Sequence, residues 1–374
     1  MELFEVYKRW DIEPVCGLDT TLWDKDGNKY TDLYGGHAVI SIGHSHPHYI
    51  GKVKDQLGKL GFYSNAVHNS LQEELAFLLG KVSGYENYRL FLCNSGAEAN
   101  ENALKLASFT TGRSKVLAFG KAFHGRTGGA VAATDNPAIR APYNTTDHVD
   151  FVPLNDLEAA SKALQTETYA AVLIEGIQGV AGIYEPTDAF LQGLRGLCDQ
   201  TGTLLVLDEI QSGYGRTGHF FAHQHAGIKA DLVTMAKGMA NGLPIGGVII
   251  SPDIPARYGM LGTTFGGNHL ACAAAIAVLE VIEKEKLIEN AAKIGALFES
   301  AFREDKAVAE YRGRGLMIGL QLKPEYIGLR DRLLFEKHFF TGAAGADVIR
   351  LLPSLTISEE TAGNFINAWK ELTA

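Results

Sequence analysis

Cysteine is scarce: Cys16, Cys93, Cys198 and Cys272 are the only four in 374 residues, and they stand far apart with no C-x-x-C spacing. This argues against a disulfide framework or a zinc knuckle, and a reducing cytoplasm is the expected compartment. Positive charge is also in deficit, with 34 basic against 43 acidic residues and a net charge of -9. No general attraction to nucleic acid or anionic lipid follows, and an anionic substrate needs a local basic pocket. No apolar run reaches membrane-spanning length. The segment Met1 to Pro14 carries Glu2, Glu5, Lys8, Arg9, Asp11 and Glu13 and has no apolar core of the signal-peptide kind.

What the chain does have is a globular composition, 46% hydrophobic and 21% charged, and enough length for a large domain with a smaller partner. Short β-rich apolar runs recur at Arg89 to Cys93, Val116 to Phe119, Ala171 to Ile174, Leu204 to Leu207, Leu232 to Met235 and Val248 to Ile250. Runs without polar alternation read as strands buried on both faces. Segments such as Ala97 to Ala107 and Phe190 to Gln200 are long enough for crossover helices. The pattern is therefore α/β, a mostly parallel sheet with ligands expected at the strand C-terminal ends. Ser70 and Glu73 have capping-box spacing ahead of the stripe Leu71, Leu75, Leu78, Leu79 and Val82. Thr21 to Lys25, Asp26-Gly27-Asn28 and Lys29 to Leu33 read as a hairpin. Beyond about Asn268 come an alanine-rich helix through Val281, more helix to Phe302, and strands at Gly315 to Leu322 and Val348 to Leu351. Those residues, joined by the N-terminal hairpin, are expected to form the second domain.

Two of the buried strands deliver opposite charges. Leu204 to Leu207 ends on Asp208, and Leu232 to Ala236 leads into Lys237. A lysine among small residues can approach a carbonyl ligand, and lysine amines form Schiff bases with pyridoxal phosphate. An aspartate nearby suits the pyridinium nitrogen of that cofactor. A structural ion pair explains the same two residues equally well. Asn94-Ser95-Gly96-Ala97 lies between a strand and a helix, so the N–H groups of Gly96 and Ala97 are expected to face outward as a phosphate cradle. Phe123-His124-Gly125-Arg126 follows another strand: Phe123 could stack on a pyridine ring and Arg126 could fork onto a carboxylate. The alternative is a core phenylalanine and a surface arginine.

Three motifs point elsewhere and are set aside. Gly213 to Gly218 fits G-x-G-x-x-G, but no glycine-packed helix or ribose-binding acid follows. His44, His46 and His48 resemble a metal cluster, yet Pro47 interrupts them and no acid or cysteine stands nearby in sequence, so no metal is expected. Ser95 lacks the G-x-S-x-G elbow of a hydrolase nucleophile.

These pieces, in this order, resemble the class III aminotransferases of the type I pyridoxal-phosphate fold, specifically the ornithine-type branch acting on acylated ornithines, over nearly the whole chain. The most specific stretch is Leu205 to Gly247, LVLDEIQSGYGRTGHFFAHQHAGIKADLVTMAKGMANGLPIGG. The resemblance implies a seven-stranded large domain over residues 41–268 and a smaller α+β domain of residues 1–40 with 269–374. It makes Lys237 the Schiff-base lysine and Asp208 the pyridinium partner. Ser95, Gly96, Ala97, Phe123, His124 and Gln211 would hold the cofactor, with Thr264 reaching it from a second copy of the chain. Arg126, Thr263, Glu175 and Arg350 would serve the substrates: Arg126 takes the carboxylate of the ornithine derivative and Arg350 that of glutamate. The implied reaction moves the δ-amino group of N-acetylornithine or N-succinylornithine to 2-oxoglutarate in arginine biosynthesis, in a cytoplasmic homodimer. A 4-aminobutyrate or other ω-amino acid aminotransferase, or a silent relative of the same fold, is the alternative. Glu175-Gly176-Ile177-Gln178-Gly179-Val180 departs from the family pattern, having Val180 where a second glutamate is expected. That substitution leaves Arg350 without its usual partner and suggests tolerance of a second carboxylate, as in N-succinylornithine.

Overall fold

The computed structural model describes residues 1–374. Strands are numbered in chain order: β1 Pro14–Leu18, β2 Thr21–Asp24, β3 Lys29–Asp32, β4 Arg89–Cys93, β5 Lys115–Phe119, β6 Val149–Val152, β7 Tyr169–Glu175, β8 Leu204–Asp208, β9 Leu232–Met235, β10 Gly246–Ile250, β11 Val308–Arg314, β12 Met317–Leu322, β13 Phe339–Phe340, β14 Gly342–Ala344 and β15 Val348–Leu351. The central sheet has seven strands in the order β4-β10-β9-β8-β7-β5-β6. Its β9-β8-β7-β5-β6 portion is parallel, while β10 runs antiparallel to both neighbours. Every residue of β7 is buried, and β8 and β9 are almost as fully enclosed. This is why their sequences, YAAVLIE, LLVLD and LVTM, are mostly apolar with no polar alternation.

The sequence reading missed β6. Val149–Val152 is an edge strand, only half-buried and interrupted by Asp150, so neither alternation nor an unbroken apolar run marks it. β11 was missed for a related reason: its Glu310, Arg312 and Arg314 face ion-pair partners, not an apolar core. The expected strand at Gly315 begins instead at Met317, because Gly315 (φ 56°) turns the β11–β12 hairpin.

Helices cover the sheet, and several start on side-chain caps. Ser95 Oγ accepts from Glu98 N at 3.2 Å to open Gly96–Thr111, and Thr187 caps Asp188–Thr201. The cap of Ser70–Ser83 is Asn69, whose side chain accepts from Leu71 N at 3.2 Å. Ser70 is the first helical residue and not the cap, so the capping box read from the sequence is displaced by one position. The alanine-rich helix His269–Lys284 is buried along most of its length and packs against Pro47–Lys59 and Ser70–Ser83. Its alanines let those backbones approach closely.

β1, β2, β3 and β13 form one small sheet. The N-terminal hairpin thus pairs with Phe339–Phe340 near the far end of the chain, in parallel through Thr31 and Asp32. A second small sheet has the order β11-β12-β15-β14.

Candidate active site

A cavity of about 440 Å³ opens at the C-terminal ends of the parallel strands, the position expected for a ligand site in an open α/β sheet. Its wall includes Ser95, Gly96, Ala97, Phe123, His124, Arg126, Glu175, Val180, Asp208, Gln211 and Lys237. The sheet brings these residues together: β4, β5, β7, β8 and β9 each end on or just before one of them.

Asp208 is held from three directions. Its Oδ2 accepts from His124 Nδ1 at 2.7 Å and from Asn100 Nδ2 at 2.8 Å, and Oδ1 accepts from Ile210 N at 3.1 Å. Asn100 also donates to His124 O at 2.8 Å and accepts from Thr234 Oγ1 at 2.8 Å. Neither Asn100 nor Thr234 was singled out in the sequence. The available signal was an asparagine inside the helical pattern Ala97 to Ala107, where asparagine is intrinsically unfavourable; the structure buries it fully.

Lys237 follows β9 in a strained conformation, φ 45°, in the region that non-glycine residues visit rarely and that clusters at functional sites. It makes no hydrogen bond within the chain. Burial lowers the proton affinity of its amine, an effect opposed by Asp208 and Glu175 and reinforced by Arg350 and Arg216.

Glu175 stands opposite Asp208 in the β7–β8 register. Its Oε1 accepts from Phe123 N at 2.9 Å and its Oε2 from Gly179 N at 3.0 Å, so one carboxylate ties together two loops of the cavity wall. Burial pushes its pKa up to about 7; His124 pulls it down, and Asp208 pushes it further up. Because the folded value lies above the ordinary one, the protonated form is favoured by folding. The resulting stability is fully present below about pH 4.5 and is lost as pH rises through about 7. A shift of this size corresponds to roughly 3 kcal/mol. In thermal melts between pH 5 and 8, Glu175→Gln is expected to lose a falling limb of stability that the native protein shows. Parallel profiles for the two proteins would contradict this.

Arg126 is exposed at the cavity mouth, on a segment fastened by Glu101, whose Oε1 accepts from Thr127 Oγ1 at 2.6 Å and Ala130 N at 2.9 Å. Arg350 is different. It is buried, lies outside the cavity lining, and has no carboxylate partner. Its Nε donates to Ala343 O at 2.9 Å, Nη1 to Gly179 O at 3.0 Å and Nη2 to Tyr34 Oη at 3.1 Å. Three of its donors are engaged by neutral acceptors, and no carboxylate stands where the usual partner was expected to be missing. Thr263 is fixed between Glu98 Oε1 and Asn94 Nδ2, both at 3.2 Å, and Thr264 is exposed; neither lines this chain's cavity.

The set-aside motifs have structural explanations. His44, His46 and His48 pair separately with Asp32, Glu285 and Glu280. The Gly213 to Gly218 segment carries buried Arg216, which donates to Leu316 O and Pro353 O and so clasps the small sheet.

The cavity fits pyridoxal phosphate. His124 Nε2 and Gln211 Oε1 are buried and lack partners. The N–H groups of Gly96 and Ala97 open a helix and find no acceptor in the chain, which matches an anion at a helix start. A Cβ on Gly96 would come within 2.8 Å of the Ile210 side chain, so glycine is required where the backbone lines the cradle.

The class III aminotransferase family profile matches residues 11–372. This chain is a class III aminotransferase. It is a pyridoxal-phosphate-dependent transaminase of the type I fold. The acetylornithine aminotransferase of Methanopyrus kandleri is 41% identical over 359 residues, covering 95% of this chain and 92% of that one. That of Corynebacterium efficiens is 40% identical, covering 98% and 93%. Among solved structures, the ornithine aminotransferase of Toxoplasma gondii superposes with a TM-score of 0.92 at 29% identity, covering 98% of this aminotransferase and 90% of that chain. The acetylornithine aminotransferase of Elizabethkingia anophelis gives 0.85 at 28%, covering 99% and 95%. No helix of this aminotransferase is long and apolar enough to cross a membrane.

Proposed function

We propose that this aminotransferase moves the δ-amino group of an N-acylated ornithine, N-acetylornithine or N-succinylornithine, to 2-oxoglutarate in arginine biosynthesis. The observation that carries the reading is Lys237, a strained and buried amine facing Asp208 across a cavity whose mouth presents Arg126. Relatives about 40% identical bear the name acetylornithine aminotransferase. We assign the cytoplasm as its compartment and a homodimer as its working form, with Thr264 serving the partner's cofactor and Thr263 near substrate. The proposed division is a cofactor domain of residues 41–268 and a smaller domain of residues 1–40 with 269–374.

Bound in the cavity, pyridoxal phosphate supplies a carbonyl that captures amines and a ring that draws electrons from the substrate carbon. Ser95, Gly96 and Ala97 would hold its phosphate, Phe123 its ring face, His124 and Asp208 its ring nitrogen side, and Gln211 its phenolic oxygen. Asp208 keeps a negative charge where a ring proton must be retained, and His124 and Asn100 prevent that carboxylate from rotating away. Arg126 forks onto the α-carboxylate of the ornithine derivative and fixes the distal amine over Lys237. The Lys237 amine, its proton affinity lowered by burial, takes a proton from the substrate carbon that bears the amino group and would deliver it to the cofactor's carbonyl carbon on the other side of the amino nitrogen. The buried floor excludes water from that transfer. Arg350 receives the α-carboxylate of glutamate in the reverse half.

Val180 is exposed beside Gly179, whose carbonyl accepts from Arg350. A valine there leaves the guanidinium without a competing carboxylate, which favours N-succinylornithine over N-acetylornithine. Val180→Glu is expected to raise the KM for 2-oxoglutarate about tenfold by pairing with Arg350 and to shift preference toward the acetyl substrate. Equal turnover of the two substrates by both proteins would refute the specificity claim.

The primary test follows the cofactor's absorbance in single turnovers with N-acetylornithine, N-succinylornithine, ornithine and 4-aminobutyrate. Fastest reaction with an acylated ornithine supports the assignment. Reaction with unacylated amines alone leaves the transaminase intact and overturns the substrate.

A further inference from the structure

Arg350 is a buried cation held by neutral groups alone, and the way it is held points to two residues outside the cavity lining. Ala343 O, Gly179 O and Tyr34 Oη take three of its N–H groups. A guanidinium has five, so two remain uncommitted. The same guanidinium lies over the Tyr34 ring, 5.7 Å from its centroid. Tyr34 therefore touches Arg350 through both its face and its hydroxyl.

The Tyr34 hydroxyl, having accepted from Arg350, also shares a hydrogen bond with His37 Nδ1. The two rings lie 4.7 Å apart. The phenol can donate to a bare Nδ1 or accept from Nδ1–H, and burial together with the charges of Arg350 and Lys237 disfavours protonation of His37.

His37 is presented by an unusual piece of backbone. Gly35, Gly36, His37 and Ala38 have φ of 55°, 54°, 68° and 65° in succession, a single left-handed helical turn closed by Val39 N to Gly35 O at 2.8 Å. Two of its four residues are not glycine, and such a run persists only where its surroundings impose it. The turn is fastened to the active site: Gln211 Nε2 donates to His37 O at 3.1 Å, and Val39 is part of the cavity wall. A right-handed turn would not aim His37 in the same direction. The Tyr34 ring also lies against Gly342, where a Cβ would come into collision with it, so the ring has little freedom to move.

We propose that Tyr34 and His37 are positioning residues for the amino acceptor: the phenol, braced by the imidazole, orients Arg350 so that its free N–H groups meet a carboxylate of an incoming dicarboxylate keto acid. This deepens the reading given above, in that it rests on Arg350 taking a substrate carboxylate. Tyr34 and His37 act through Arg350, so their effect falls on the acceptor half of the reaction and spares the donor half with N-acetylornithine, which carries no second carboxylate.

The test uses cofactor-loaded Tyr34→Phe, His37→Asn and Arg350→Lys. Phenylalanine keeps the ring that packs on Gly342 and removes only the hydroxyl, and asparagine tolerates a positive φ. Calorimetric titration with glutarate, an unreactive dicarboxylate, measures binding independently of turnover. Steady-state kinetics separates KM from kcat, and thermal melts report the fold. Tyr34→Phe and His37→Asn are each expected to weaken glutarate binding and raise the KM for 2-oxoglutarate about tenfold, the effect of loosening one charge-assisted contact. The kcat and the rate of the amino-donor half-reaction with N-acetylornithine should stay within about twofold. If Arg350→Lys weakens glutarate while the other two variants bind it normally, the positioning role is wrong and the Arg350 assignment stands. If Arg350→Lys leaves glutarate binding unchanged, the Arg350 assignment fails and takes this proposal with it. Equal losses in both half-reactions, or a lowered melting temperature in both variants, would reduce Tyr34 and His37 to packing.

Discussion

Lys237→Ala is expected to hold pyridoxal phosphate without covalent attachment and to lose at least about 10³-fold in turnover, since it removes both the amine that attaches the carbonyl and the base that moves the proton. Its stability should be maintained or improved. The Lys237 amine makes no hydrogen bond in the chain and its charged form is disfavoured by desolvation, while alanine bears the same backbone φ of 45°. Removing it therefore relieves a cost and leaves no partner orphaned. The measurement pairs a thermal melt with single-turnover absorbance: an unchanged or raised melting point with no donor-driven spectral change is the expected result. A variant that turns over at a tenth of the native rate would show that another group moves the proton.

The second large effect concerns Asp208. Asp208→Asn keeps the shape but replaces one acceptor oxygen by an NH₂: with its remaining oxygen toward His124 Nδ1 and Asn100 Nδ2, which both donate to Oδ2 in the native protein, the NH₂ faces Ile210 N, a donor. A buried donor left without an acceptor costs about 1–3 kcal/mol, so the melting point should fall by several degrees. The loss of charge is the greater catalytic effect. With no carboxylate to hold a proton on the ring nitrogen, turnover should fall by about 10²-fold or more. The two consequences separate experimentally, because a second substitution that restores packing would recover the melting point but not the rate. Near-native turnover in folded Asp208→Asn would remove Asp208 from the chemistry.

Much of this was legible in the residues alone. The apolar runs of β7, β8 and β9 announce strands buried on both faces because a parallel sheet covered by helices has no solvent side to mark. Asp208 and Lys237 follow directly from where those runs end, and Ser95-Gly96-Ala97 follows from the strand-to-helix turn. Half-exposed β6 was not legible, since its burial comes from one neighbour, β5, and not from its own composition. The cap at Asn69 was missed because Ser70 is an equally good capping residue, and only the backbone geometry chooses between them.

The sequence by itself therefore determined the buried parallel strands and that Lys237, Asp208 and the Ser95–Ala97 turn stand at one edge of the sheet, because each lies within a few positions of a strand end. Tertiary structure alone decided what surrounds them. Arg350 meets Tyr34 across 316 positions of chain, Glu175 ties Phe123 to Gly179, and Asn100 reaches Asp208 from a helix 108 residues earlier. Contacts of that kind leave no periodic trace, since a single polar side chain is specified by its partner and not by its neighbours in sequence. The left-handed turn at Gly35–Ala38 is likewise a decision of the whole fold: the residues His37 and Ala38 prefer the opposite hand, and the contacts of Tyr34 and Gln211 with their surroundings override that preference.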